Sequence, residues 1–135
     1  MARDQQSLVA LYLASLCGLG YGLRQIIEAQ SRTGTHVQEV VISGGAGKSA
    51  LVRQVLADTT GLPVTAPTSD EPVLLGSAIL GAVAGKAHAD VTAGMKAMSS
   101  LDQVYRPNPT AVARHNARFA IYEDLQATAR SAVTI

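Results

Sequence analysis

The run Ser43-Gly44-Gly45-Ala46-Gly47-Lys48-Ser49 holds the residue types and spacing in this chain that can do chemistry. Glycines lack a Cβ, so backbone N–H groups beside them can come close to a ligand. A helix starting just after them adds partial positive charge at its N-terminus. Together these features suit a phosphate or nucleotide held by main chain. The pattern G-x-x-x-x-G-K-S/T of a P-loop is met at its end by Gly47-Lys48-Ser49. Its first glycine, however, falls on Ile42, and the glycines here bunch at Gly44 and Gly45. A degenerate P-loop and a plain strand-to-helix turn therefore stand as the alternatives. Lys48 can approach a phosphate, but without the P-loop arch the solvent-facing placement is expected.

Two elements must position this run. Val37, Val40, Val41 and Ile42 form a β-branched stretch before it, as a buried parallel strand requires. Leu51, Val52, Val55 and Leu56 follow at helical spacing, and that helix is predicted to end near Thr60-Gly61. Leu62 to Ala66 reads as a second strand, parallel to the first across the helix. Arg53, Gln54 and Asp58 fall on the opposite helix face, where a solvated or structural role is expected and no chemistry is assigned.

Further out, Gln5 to Leu23 carry no charge and are largely apolar. Leu8, Leu11, Tyr12, Ser15, Leu16, Leu19, Leu23, Ile26 and Ile27 share one helical stripe. Asp4 cancels Arg3, polar residues interrupt the run, and no A-x-A site follows it, so a buried helix is expected rather than a signal peptide or membrane span. Ser7 is its expected cap. Gly18, Gly20 and Gly22 would weaken it by about 1 kcal/mol each, in exchange for close packing on a sheet or ligand. Gly34 is the expected stop. Past the second strand, Pro67 to Pro72 predicts a turn, with Glu71 offsetting the dipole of the helix that follows. Val73 to Ala84 is apolar nearly all round and is expected in the interior, with Gly76, Ser77, Ala78 and Gly81 packing against the glycine loop. A short helix over Asp90 to Met98 is expected to face inward through Val91, Met95 and Met98. Leu101 to Tyr105 is expected to be extended. A last amphipathic helix carries Val112, His115, Phe119, Tyr122 and Leu125, with Ser131 to Ile135 fraying.

Composition narrows the function. A net charge of +1 gives no electrostatic case for nucleic acid or an anionic membrane. One Phe, four Tyr and no Trp make a base-stacking platform an unsuitable reading. Hydrophobic content of 47% is enough for a folded core. A single cysteine, Cys17, precludes an intrachain disulfide and fits a cytoplasmic protein. His36, His88 and His115 are widely spaced, without a zinc-ligand pattern. No G-x-S-x-G elbow supplies a hydrolase nucleophile, and the aspartates are scattered.

The stretch GGAGKSALVRQVLADTTGLPV, read as a whole, resembles the adenosine motif of the FGGY carbohydrate kinases of the actin-like ATPase superfamily. The matching features are Gly44, Gly45, Ala46, Ser49, Ala57-Asp58 and Gly61-Leu62-Pro63-Val64. EPVLLGSAILGAVAG, with Glu71, Leu75, Gly76 and Ala78, resembles the next family block, and VYRPNP with the helix after it resembles the C-terminus. The likeness runs from about Leu8 to Arg130 and lies nearest the pentulose and ribitol kinase branch, that is, ribulokinase-like proteins.

This resemblance implies an α/β fold: a partial actin-like ATPase (ribonuclease H-like) domain, mostly helical with a short parallel sheet. Residues 1–135 would be one partial domain from the later part of the second lobe. The Asp-Gly-Thr phosphate segment, sugar site and catalytic aspartate of the first lobe are not found, so a fragment inactive alone is expected. The implied cofactors are ATP and Mg2+, and the intact enzyme would phosphorylate a sugar or polyol hydroxyl. Gly44, Gly45 and Ala46 would line the adenosine and α-phosphate, and Ser49 would lie near the adenine. Where many relatives have Gly-Gly-Gly this chain has Gly-Gly-Ala, which crowds the backbone approach at Ala46. No catalytic or metal-binding residue is implied in this stretch. An unpaired sheet edge would favour a homo-oligomer; no nucleic-acid or membrane partner is implied. The competing reading is a non-catalytic α/β interaction module with a merely structural glycine loop.

Overall fold

The computed structural model describes residues 5–133. Its centre is the predicted strand, loop, helix and strand. Val40–Val41 (β1) pairs in parallel with Val64–Thr65 (β2), Val40 opposite Val64. Val40 N–H donates to Pro63 O and Ile42 N–H to Thr65 O, each at 2.9 Å. The strands are shorter than the β-branched runs, and Val37 lies outside β1. Val41 is exposed and Val40 only half-buried, in place of the fully buried strand expected.

Between the strands, Gly45–Lys48 makes one 3-10 turn and Ala50–Thr60 forms α2. Ser49 caps α2, its hydroxyl accepting from Val52 N–H at 3.4 Å. Gly61 ends it at φ 73°, the left-handed conformation that glycine reaches without strain. Leu56, Ala57 and Val64 form the core, with Leu23, Val40, Ile42, Val52 and Tyr105 packed against them.

The extended stretch 101–105 lies antiparallel alongside β2. Tyr105 and Val64 exchange backbone hydrogen bonds at 2.8 and 2.9 Å, and Asp102 N–H donates to Ala66 O at 2.8 Å. This pairing, which alternation could not foresee, brings Asp102 and Tyr105 under α2.

Gln5–Arg32 forms α1, with Ser7 inside the helix rather than capping it. Gly34, at φ 89°, follows its end as expected. The predicted stripe is not a buried face: Leu8, Leu11, Tyr12, Leu19 and Ile26 are exposed, and burial concentrates at Leu16, Gly20 and Tyr21. Gly20 permits close approach, but to another helix: a Cβ there would overlap the Thr59 side chain of α2. Gly18 and Gly22 meet nothing. By length and composition α1 could cross a membrane, yet its second half is tied to other elements of the fold.

Pro72–Ala84 forms α3 with Pro72 in its first turn, and Val91–Met98 forms α4, capped by Asp90 accepting from Ala93 N–H at 2.8 Å. The interior placement expected for α3 does not hold. Val73 and Leu74 are 81% and 66% exposed, and only Ile79 is buried. A helix apolar all round needs neighbours on every side, and α4 is the helix that packs on it. Gly76 and Gly81 meet nothing within contact range, so they do not pack on the glycine loop. On α4 the inward residue is Gly94, against Ile79, while Val91 and Met95 are exposed.

Pro109–Val133 forms α5, capped by Asn108, whose side-chain oxygen accepts from Thr110 N–H and Ala111 N–H. Its stripe is buried at Phe119, while Leu125 is exposed. The helix continues through Ser131; the last two residues of the expected frayed end lie outside the described residues.

Candidate functional site

The segments leaving the C-terminal ends of β1 and β2 border a polar cleft of about 370 Å³. In open sheets with parallel strands, ligands bind beyond those strand ends. One wall is Ser43, Gly44, Gly47 and Lys48; the other is Pro67, Thr68, Ser69 and Asp70; Arg53 and Asp102 complete it. Gly44 stands at φ 78° and turns the chain out of β1. Gly47 is buried, and a Cβ there would come within 2.8 Å of Ile42 O, so the loop closes this tightly only with glycine.

The four residues singled out for ligand contact do not share one surface. Gly44 lines the cleft. Gly45 sits in the 3-10 turn with open space where a Cβ would project. Ala46 faces the other way, into an apolar cavity of about 210 Å³ between α1 and α2, with Leu16, Leu19, Leu23, Val52 and Val55. Ser49 is half-buried and caps α2, which leaves its hydroxyl proton available to a ligand. The loop thus divides a polar cleft from an apolar cavity.

Two oppositely charged pairs frame the cleft. Lys48 Nζ lies 2.9 Å from Asp70 Oδ1, with both side chains largely in solvent. This hydrogen bond raises the lysine pKa above its ordinary value, with the nearby Asp70 charge adding to the effect. Lys48 therefore keeps the solvent-facing placement expected for it, with its amine paired to Asp70. Arg53 Nη1 lies 2.7 Å from Asp102 Oδ2. The arginine is 8% exposed, and its guanidinium carbon sits 4.7 Å from the centroid of the Tyr105 ring. Its hydrogen bond holds the Asp102 carboxyl below the usual range, helped by a backbone bond from Gln103. Arg53 Nε is buried without a hydrogen-bond partner among the described residues.

Arg53 and Asp102 were not legible as site residues. Helical periodicity puts Arg53 on the polar face of α2, and its partner lies 49 residues further on. Gln54 and Asp58 are structural too: Asp58 Oδ1 accepts from Asn108 N–H at 2.8 Å, and Gln54 donates to Arg106 O at 3.1 Å. Glu71, at the mouth of α3, makes no side-chain capping bond. Among the described residues, no three His, Cys, Asp or Glu side chains cluster as a metal cage would need.

Residues 2–85 match the model of the C-terminal domain of the FGGY family of carbohydrate kinases. An FGGY carbohydrate kinase domain-containing protein of Danio rerio is 35% identical over 122 residues, spanning 90% of this chain and 22% of the relative. A ribulokinase of Mycolicibacterium smegmatis is 38% identical over 115 residues, spanning 84% and 20%. A crystallised "xyloylose kinase" from Brucella ovis superposes with a TM-score of 0.80 at 20% identity, covering 97% of this chain and 26% of that one. The chain spans about a fifth of the length of the curated relatives it matches.

Proposed function

The chain belongs to the FGGY family of carbohydrate kinases, with a fold that is part of the actin-like ATPase (ribonuclease H-like) class, and from that premise we propose that it supplies the nucleotide-binding portion of an ATP-dependent pentulose or polyol kinase. We read residues 1–135 as one partial domain, the C-terminal part of the second lobe. In the intact enzyme ATP would give its γ-phosphoryl to a sugar hydroxyl. Such transfer is governed by positioning and charge stabilisation.

The observation that carries this reading is the polar cleft beyond the parallel strand ends, walled by Gly44 and Gly47. Backbone at Gly44 and Gly45 can approach a phosphate because no side chain intervenes and open space lies beside both. The start of α2 favours negative charge there. Ala46 turns its methyl into the apolar cavity, which keeps it off the polar side of the loop. Ser49 offers a hydroxyl proton beside the base. Magnesium would arrive with the nucleotide phosphates, since these residues form no cage for it. The sugar and the general base belong to the other lobe of the intact enzyme, so this chain alone binds nucleotide weakly and transfers nothing. We place the protein in the cytoplasm, with a homo-oligomer as its expected state and no nucleic-acid or membrane partner.

Calorimetry with ATP on the native chain and on Gly45→Val tests the reading. Gly45 has open space for a side chain and no positive φ, so the fold accommodates valine. The expected result is a weak binding heat that the variant loses. Equal heats, or none from either protein, would favour an interaction module whose glycine loop is structural.

A further inference from the structure

Lys48 and Asp70 hang from different strands. Lys48 ends the turn after β1, and Asp70 lies in the turn after β2, on the facing wall of the cleft. Their 2.9 Å contact spans the cleft between these walls. Nothing in the packing requires it: the side chains are 59% and 84% exposed, and neither makes another hydrogen bond or ion pair within the described residues. Arg53, the other cation of the cleft, is fixed by Asp102 and by the Tyr105 ring. Each of the two cations is already matched by a carboxylate, and the Glu71 charge also acts on Lys48, so the cleft presents no unpaired cation to an incoming anion.

We infer that Asp70 acts as a built-in competitor at the nucleotide cleft, holding Lys48 across the opening until a phosphate of the ligand takes its place. This inference rests on the nucleotide reading of the same cleft and adds a regulatory contact to it. The lysine changes anionic partners when ligand binds, so its gain on the phosphate is offset by the pair it leaves. Removing Asp70 frees that contribution and removes a like charge from the ligand's path. Exposed ion pairs are weak, so the effect is a modest factor. A lysine amine is charged across the neutral range whether or not it is paired, so the exchange is available there.

A double-mutant cycle isolates the exchange. The probe is ADP in EDTA, so that Asp70 cannot act through a metal, with dissociation constants for the native chain, Asp70→Asn, Lys48→Ala and the double variant. Both positions are exposed, so the fold tolerates the changes. Asp70→Asn is expected to tighten ADP by about two- to fivefold. Lys48→Ala should cost more affinity in the Asp70→Asn background than in the native one, by a similar factor. ADP binding with additive effects, or Asp70→Asn binding no tighter, overturns the exchange and leaves the nucleotide reading standing. No binding by any of the four proteins overturns both. Loss of binding on Lys48→Ala equally in both backgrounds would assign the lysine the clasping role of a P-loop and overturn the exchange.

Discussion

Arg53 shows how a residue assigned no chemistry can hold a site together. It lies one turn beyond Ser49, where α2 leaves the glycine loop, and its guanidinium reaches the stretch bordering β2. Burying a cation is costly unless a partner compensates it, and here Asp102 and the Tyr105 ring do so. Replacing Arg53 by alanine removes that link and leaves a void, with an expected loss of about 2–4 kcal/mol. Asp102→Asn keeps the packing and loses the ionic hydrogen bond, so it should destabilise less. Urea unfolding followed by circular dichroism checks both: the midpoint should fall more for Arg53→Ala, at unchanged slope. Equal midpoints for the native chain and Arg53→Ala would mean the pair contributes no net stability.

At the scale of elements, α1 and α5 meet through an aromatic cluster. Tyr21 is 6% exposed, its ring 5.8 Å from those of His115 and Phe119 and 5.4 Å from that of Tyr122. Its hydroxyl lies 2.9 Å from His115 Nδ1. Arg24 covers the Phe119 ring at 4.2 Å and donates to Asn116. Burial first, and then the Arg118 charge, hold the His115 pKa below its ordinary 6.5; Arg114 adds to this, and Asp58 opposes it. The folded state therefore binds that proton less readily than the unfolded chain. The stability it contributes is complete above about pH 6.5 and is lost as the pH falls through the lowered value. Between pH 7.5 and 5.5 the melting temperature of the native protein should drop more steeply than that of His115→Gln. Parallel pH profiles would show that this histidine does not link protonation to the packing of α5 on α1.

Across the described residues, large apolar side chains are exposed on several elements, and two faces stand out. One follows the first half of α1, with Leu8, Val9, Leu11, Tyr12 and Leu13 exposed. The other is an open apolar groove of about 520 Å³ bordered by α3, α4 and Val41 of β1. In the two-stranded sheet β1 pairs only with β2, so its second edge is free within the described residues. Free strand edges and contiguous apolar patches promote association. A net charge of +1 supplies little repulsion against it. The chain is expected to self-associate. Light scattering behind size-exclusion chromatography should show a mass above 14.0 kDa that rises with loading. A monodisperse monomer across a hundredfold range of concentration would remove this expectation.

The order strand, glycine turn, helix, strand was written in the sequence because each signal acts within a few residues. β-Branched runs extend the chain, Ser49 and Asp90 satisfy nearby N–H groups, and Gly61 supplies the left-handed turn that stops α2. The family likeness rests on the same local blocks. Local periodicity also marked α1 and α3 as apolar, and from that alone both were expected to be buried. Apolarity states what a helix can bury, not whether a neighbour covers it, and α3, though packed against α4, leaves Val73, Leu74 and Leu80 exposed. Tertiary structure alone joined Arg53 to Asp102 and Lys48 to Asp70, and set Gly44 and Ala46 on opposite sides of one loop. Those relations depend on how stretches 101–105 and 67–72 lie beside β2, and no spacing within a single segment encodes a contact between segments.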